Sequence, residues 1–176
     1  GTYFKVVDGD DYVNSIELAT VLSFLKTVDV DQVISPFYKQ YSAEGRDELV
    51  SFEQVENGVT YDYNDFLKRI RRIPEMHSVI NRTALLRDYH IRLSENCFYV
   101  DMQYNVFPMQ HIKQVAYLNS PLYLYQMGDE NQSVSARSYL KNKKMHEHVI
   151  DTLIEYVNAN SGLLSEVQVD YINQLI

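Results

Sequence analysis

The chain has 176 residues, 45% of them hydrophobic, with a formal net charge of −8 and an isoelectric point near 5.0, which suits one domain of ordinary size with a proper core. The acidic balance argues against a nucleic-acid surface, and an anionic substrate would need a metal ion or local cations. No apolar run is long enough to cross a membrane, and the single cysteine, Cys97, excludes an internal disulfide, so a reducing, cytoplasmic setting is the simpler expectation.

The first element organises the rest. Tyr3 to Val7 reads as a short buried strand, rich in aromatic and β-branched residues. It stops at Asp8-Gly9-Asp10-Asp11, on the loop at its C-terminal end, where ligands bind in open α/β sheets. Gly9 would let the backbone turn tightly between the acids. Like charges this close call for a cation, protons or water, and a hard divalent ion such as Mg²⁺ or Mn²⁺ prefers carboxylate oxygens. The plain alternative is a solvated acidic turn ahead of a helix.

Asn14-Ser15-Ile16-Glu17 has the form of a capping box, and Leu18, Val21, Leu22 and Leu25 continue at helical spacing. Gln32 to Tyr41 reads as one strand, with Pro36 marking an edge or a bulge. A turn at residues 44–47 and a returning strand from Glu48 to Val55 complete a hairpin-like excursion. Asn57-Gly58 is a turn signal, and Asn64 to Ile73 reads as a helix with Phe66, Leu67 and Ile70 inward. Its other side carries Lys68, Arg69, Arg71 and Arg72, either a solvated face or a patch for phosphate or anionic lipid.

His77 to Asn81 fits a short strand and Thr83 to Tyr89 a short helix. Phe98-Tyr99-Val100 is apolar and Asp101 comes next, at the start of another short helix, where the helix dipole favours an ionised carboxylate. Asp101 is therefore a structural cap or a base held ionised. Two strand-like runs, Ile112 to Leu118 and Leu122 to Tyr125, precede two helices, Ser138 to Ala159 and Leu164 to Ile176, expected to pack on the body or on a second copy. His146 and His148 point different ways on their helix, and His77, His90 and His111 are isolated in sequence, so no histidine metal site is expected.

With these residues in view, the chain resembles the family-two inverting glycosyltransferases of GT-A fold. Phe4 to Val13 looks like their metal-binding motif, Asn81 to Leu86 with Glu95 to Met102 like their acceptor-side half, and Pro121 to Gln126 with Gln132 to Ser135 like the segment closing the site. The resemblance covers roughly residues 1 to 140. It implies an α/β protein: a partial GT-A mixed sheet flanked by helices over 1–135, and a C-terminal helical pair over 136–176. It further implies transfer of a sugar, with inversion, from a nucleotide-diphosphate sugar such as a UDP-sugar to a saccharide or lipid-linked acceptor. Asp8, Asp10 and Asp11 would hold Mn²⁺ or Mg²⁺, and Asp101 would be the base. Arg82, Glu95, Gln132, Ser133 and Ser135 would contact donor or acceptor. A cytoplasmic place, extending to peripheral association with the inner membrane face, and a bacterial cell-envelope role are implied by the same likeness.

Two departures stand out. Val100 replaces the glutamate that usually precedes the base, and the nucleotide-binding βαβ half that family members carry before the metal motif does not precede residue 8. The expectation is a transferase fragment with weak donor binding, whose first strand leaves an apolar edge prone to self-association. Two alternatives stand beside it. One is a non-catalytic interaction module derived from such an enzyme. The other is a metal-dependent phosphotransferase of the haloacid-dehalogenase type, whose motif fits less well at Asp11-Tyr12.

Overall fold

The computed structural model describes residues 1–41, 43–128 and 136–176. Nine strands and seven helices alternate along the described residues: β1 (Tyr3–Phe4), β2 (Tyr12–Val13), α1 (Ser15–Leu25), β3 (Gln32–Ile34), β4 (Phe37–Tyr41), β5 (Arg46–Val50), β6 (Thr60–Asp62), α2 (Tyr63–Ile70), β7 (Val79–Arg82), α3 (Thr83–Asp88), α4 (Val100–Val106), β8 (Gln114–Tyr117), β9 (Tyr123–Met127), α5 (Ala136–Lys141), α6 (Lys143–Ala159) and α7 (Glu166–Asn173). Single 3₁₀ turns lie at Met76–Ser78 and Met109–His111. The strands form a five-stranded sheet in the order β1-β7-β3-β8-β6 and a four-stranded sheet in the order β2-β9-β4-β5. Both sheets are mixed: β3/β8 and β4/β9 are parallel and the other pairs antiparallel.

The larger sheet is covered on both faces, and its central strands show why. Val33, Ile80 and Ala116 turn to one face, against Val21 of α1 and Leu122, whereas Ile34, Val79, Val115 and Tyr117 turn to the other. Alternate residues thus feed two cores, so these strands read as continuous apolar runs. The second core is the larger. Phe66 and Leu67 of α2, Val106 of α4, Leu153 of α6 and Ile172 of α7 meet in it with almost no exposure. The two C-terminal helices are therefore built into the main core. Among the described residues no helix is long and apolar enough to cross a membrane.

Several local expectations hold. The Asn14 Oδ1 accepts from the Ile16 and Glu17 amides and caps α1, although the Glu17 carboxylate turns to the Ser120 hydroxyl rather than closing a capping box. Ser165 and Gln168 form a reciprocal capping box on α7. On α2, Phe66, Leu67 and Ile70 are buried, and the basic side finds local partners. Lys68 pairs with Asp65, Arg72 with Glu75, and the guanidinium of Arg69 lies over the Tyr61 ring. That face is a solvated one with short-range pairing.

Three expectations fail for physical reasons. Residues 32–41 are not one strand. Ser35 and Pro36 separate β3, central in one sheet, from β4 in the other, so the proline marks a change of sheet rather than an edge. Tyr3 to Val7 is not a buried strand: only Tyr3 and Phe4 pair, with Arg82 and Asn81 of β7, and Phe4 and Val7 are 45% and 43% exposed at the sheet's edge. Gly9 does not take a left-handed conformation, and a Cβ there would meet nothing within 4 Å, so the acidic turn does not require glycine.

Replacing Leu153 by alanine should remove about 2–5 kcal/mol of stability, as expected for a fully buried leucine. Urea unfolding should remain a single transition, because α6 shares its core with α2 and α4; a separate early transition would mean that the C-terminal helices fold as their own unit.

Candidate functional site

The acidic turn joins β1 to β2 and so passes from one sheet to the other. The Asp11 amide donates to the Asp8 carbonyl at 3.1 Å and closes the turn. The Asp11 side chain points inward and is buried. Its Oδ1 accepts from the Gln126 amide at 2.8 Å, and its Oδ2 from the Tyr123 hydroxyl, both on β9. The Tyr123 oxygen also accepts from the Asp8 amide at 3.1 Å. Asp8 and Asp10 stay exposed. The three acids thus differ: Asp11 anchors the loop, and Asp8 and Asp10 keep their side chains open.

Asp101 approaches from the other side. Tyr99, at φ 67°, caps α4 without a side-chain bond, and the Asp101 carboxylate accepts from its own amide and that of Met102. Asp8 and Asp101 line one cavity of about 260 Å³, together with His77, Tyr99 and Tyr125. The loop that closes it is tied down by Gln103, which is buried. The Gln103 side chain accepts from the Ser94 amide at 2.8 Å and donates to the hydroxyls of Ser94 and of Thr152 on α6.

Carboxylates shape the field in the cavity. Burial, then the charges of Asp11, Asp10 and Asp101, hold the Asp8 carboxyl above its usual range. Asp101 is also held high, mainly by burial, with the two amides and the charge of His146 opposing. Its carboxylate is open to the cavity, yet protein atoms crowd it on the remaining sides, and both facts are consistent with a group on a cavity wall. The Tyr125 hydroxyl is pushed up to about 12 by burial and by all four carboxylates.

His77 corrects the sequence-based expectation of an isolated histidine. Its ring stacks between Phe37 at 4.9 Å and Tyr125 at 4.1 Å, and a ring nitrogen and oxygens of Asp8 and Asp11 lie within 4.8 Å of one another. The His77 Nδ1 is buried without a hydrogen-bond partner. Burial and the charges of Lys5 and Lys39 bring its pKa down to about 4, so the ring is neutral, the form that binds metals. Nothing in the local sequence around residue 77 signals this; the Lys5 ammonium, donating to the His77 carbonyl at 2.7 Å, holds that turn in place.

The other expected contacts fare differently. Arg82 spends its guanidinium on the Asp29 carboxylate and the Val30 carbonyl, and does not line the cavity. Glu95 lies exposed on the loop before α4 and does not line it either. Gln132, Ser133 and Ser135 lie outside the described residues.

No family model matches the chain, and no curated protein matches it in sequence. Solved structures do match. The chain resembles S. aureus TarS 1-349 in complex with UDP-GlcNAc with a TM-score of 0.65 and 19% identity, over 98% of this chain and 48% of that one. The UDP complex of the same protein gives 0.61 and 19%, over 99% and 47%, and longer S. aureus TarS gives 0.64 and 18%, over 98% and 28%. TarS is a glycosyltransferase. The fold is glycosyltransferase-like. The chain spans less than half the length of each of these structures.

The geometry makes two outcomes measurable. Tyr123→Phe removes the hydroxyl that joins Asp11 to the Asp8 amide and should cost about 1–3 kcal/mol in urea unfolding. Asp8→Asn should raise stability at neutral pH. The folded carboxyl holds its proton more tightly than the unfolded one, so ionisation penalises the fold above the folded pKa. That penalty fades as pH falls towards the unfolded value of about 4, and there the variant should match the parent. Melting curves at pH 7.5 and 4 test both halves of this.

Proposed function

We propose that the chain is the catalytic and acceptor-side part of a family-two inverting glycosyltransferase acting on a nucleotide-diphosphate sugar. The observation that carries the reading is that Asp8 of the acidic turn and Asp101, brought from distant parts of the chain, line one cavity, where the charge of Asp101 adds to the affinity of Asp8 for its proton. The glycosyltransferase-like fold supports it, and the UDP and UDP-GlcNAc bound by the similar structures favour a UDP-sugar as donor.

In this reading Asp101 is the general base. An acceptor hydroxyl in the cavity donates its hydrogen bond to the Asp101 carboxylate. As the hydroxyl oxygen attacks the anomeric carbon, its proton passes to Asp101 and the bond to the donor's diphosphate breaks on the opposite face. One displacement inverts the configuration. A carboxyl raised by burial takes that proton more readily than an exposed one, and the two amides keep it aimed.

Asp8, Asp10 and Asp11, with His77, would hold Mn²⁺ or Mg²⁺. The clustered carboxylates and the unpartnered neutral ring of His77 suit a divalent ion. When bound, such an ion supplies Lewis-acid neutralisation of the departing diphosphate. The acceptor is a saccharide or a lipid-linked sugar, the setting cytoplasmic or at the inner face of the membrane, and the apolar edge at Phe4 and Val7 favours self-association.

Calorimetric titration of UDP and UDP-sugars in the presence of Mn²⁺ tests the reading on this chain, on a chain extended at its N-terminus, and on Asp10→Ala. Binding should require Mn²⁺ and Asp10, and should be tighter in the extended chain. In the extended chain Asp101→Asn should lower turnover about 10²–10⁴-fold while donor affinity stays within a factor of a few. Nucleotide binding indifferent to Mn²⁺ and to Asp10 would sink the metal assignment. An extended chain that binds no nucleotide at all would sink the transferase.

A further inference from the structure

The cavity has a composition that the donor chemistry does not use. Phe98, Tyr99, Tyr104 and Tyr125 line it with His77, its surface is mainly apolar, and no lysine or arginine is among its lining residues in the described part of the chain. Phe98 is 49% exposed although it is a large aromatic side chain directly before the α4 cap. Its ring meets Tyr99 edge to face, at 6.4 Å between centroids. Tyr99 is in turn fixed edge to face by Tyr139 at 6.1 Å and by His146 of α6 at 5.1 Å. Tyr99 also adopts the left-handed conformation, which a tyrosine takes only where its surroundings enforce it. An aromatic corner is thus held rigidly at the rim, and the same short stretch of chain carries Asp101.

We propose that this corner and Asp101 form the seat of a neutral sugar ring, the acceptor's terminal residue. A pyranose has one face of C–H groups and a rim of hydroxyls. The C–H face lies against an aromatic ring, whose π-face is electron-rich, and a rim hydroxyl donates to the Asp101 carboxylate. Charge selects the class of ligand. With the divalent ion of the proposed donor site taken up by the diphosphate, a phosphorylated or uronic acceptor would bring a further anion beside Asp8 and Asp101 with no described cationic side chain lining the cavity to receive it. A bare lipid chain would leave both carboxylates desolvated without a donor. The seat rests on the reading of Asp101 as the base, and it narrows the acceptor to one ending in an uncharged sugar. In it Phe98 is a specificity-determining residue that touches the acceptor and takes no part in proton transfer.

The test is saturation-transfer NMR on this chain with methyl glycosides of a neutral hexose and an N-acetylhexosamine, their disaccharides, and a hexose 6-phosphate. At least one neutral glycoside should bind, with an affinity on the order of 1 mM, and receive saturation mostly on the C–H protons of one ring face. Phe98→Ala, at an exposed position that the fold does not need, should weaken it about three- to tenfold, and Phe98→Tyr should restore it. The hexose 6-phosphate should bind less well than its neutral parent. The seat is overturned if no neutral glycoside binds, if the phosphate binds more tightly, or if Phe98→Ala binds like the parent chain. Mn²⁺–UDP titrations on the chain extended at its N-terminus separate the two readings. Nucleotide binding without glycoside binding removes the sugar seat alone, and glycoside binding without nucleotide binding leaves the seat and removes the donor.

Discussion

The Asp11 carboxylate, buried between the Tyr123 hydroxyl and the Gln126 amide, is the contact on which the rest of the site depends. The chain leaves the five-stranded sheet at Phe4 and enters the four-stranded sheet at Tyr12, and the acidic turn lies in that connection. Fastening it to β9 sets the position of Asp8, whose amide reaches the same tyrosine oxygen, and so sets which wall of the cavity carries a carboxylate. β9 also carries Tyr125, which faces His77. One buried carboxylate, satisfied by a hydroxyl and an amide, therefore sets Asp8 against the strand that carries Tyr125.

That arrangement works against the stability of the fold. Burial raises the Asp11 carboxyl more than its two hydrogen bonds lower it, and Asp10 adds to the repulsion. Asp8 feels three other carboxylates. A chain selected for stability alone would place an amide at one of these positions; acids that raise each other's pKa in a cleft are characteristic of sites that take up cations or protons. Lys5 does not relieve the repulsion. Burial brings its amine down to about 7, and its hydrogens go to the backbone carbonyls of His77 and Val79, where they hold the histidine turn rather than a carboxylate.

Much of this was legible in the sequence, and the remainder has identifiable causes. The spacing of Phe66, Leu67 and Ile70 gives α2, and Asn14 gives the start of α1, because helix periodicity and capping are local. The acidic turn and Asp101 were visible as residues, but their meeting across a cavity was carried only by a family resemblance. The division of residues 32–41 between two sheets depends on partners far along the chain, β7 and β8 for one half and β5 and β9 for the other. β6 is three residues long and exists by pairing with β8. His77 was invisible for the same reason: its significance lies in Asp8, Asp11 and Tyr125, not in its neighbours.

Phe98 shows the opposite case, in which local composition points the wrong way. The run Phe98-Tyr99-Val100 ahead of Asp101 is apolar, yet Phe98 is exposed and Tyr99 and Val100 are only half-buried. The residues that bring α4 against the body are Gln103, Tyr104 and Val106, all within the helix and all buried. Phe98 and Tyr99 instead stand at the rim, with the backbone of Tyr99 turned into a conformation that costs energy and that α6 holds through His146. Helix α6 therefore has a second task beside filling the core. With Tyr139 of α5 it fixes the aromatic corner from behind, so the shape of the cavity at Asp101 depends on a distant part of the chain as much as on α4 itself.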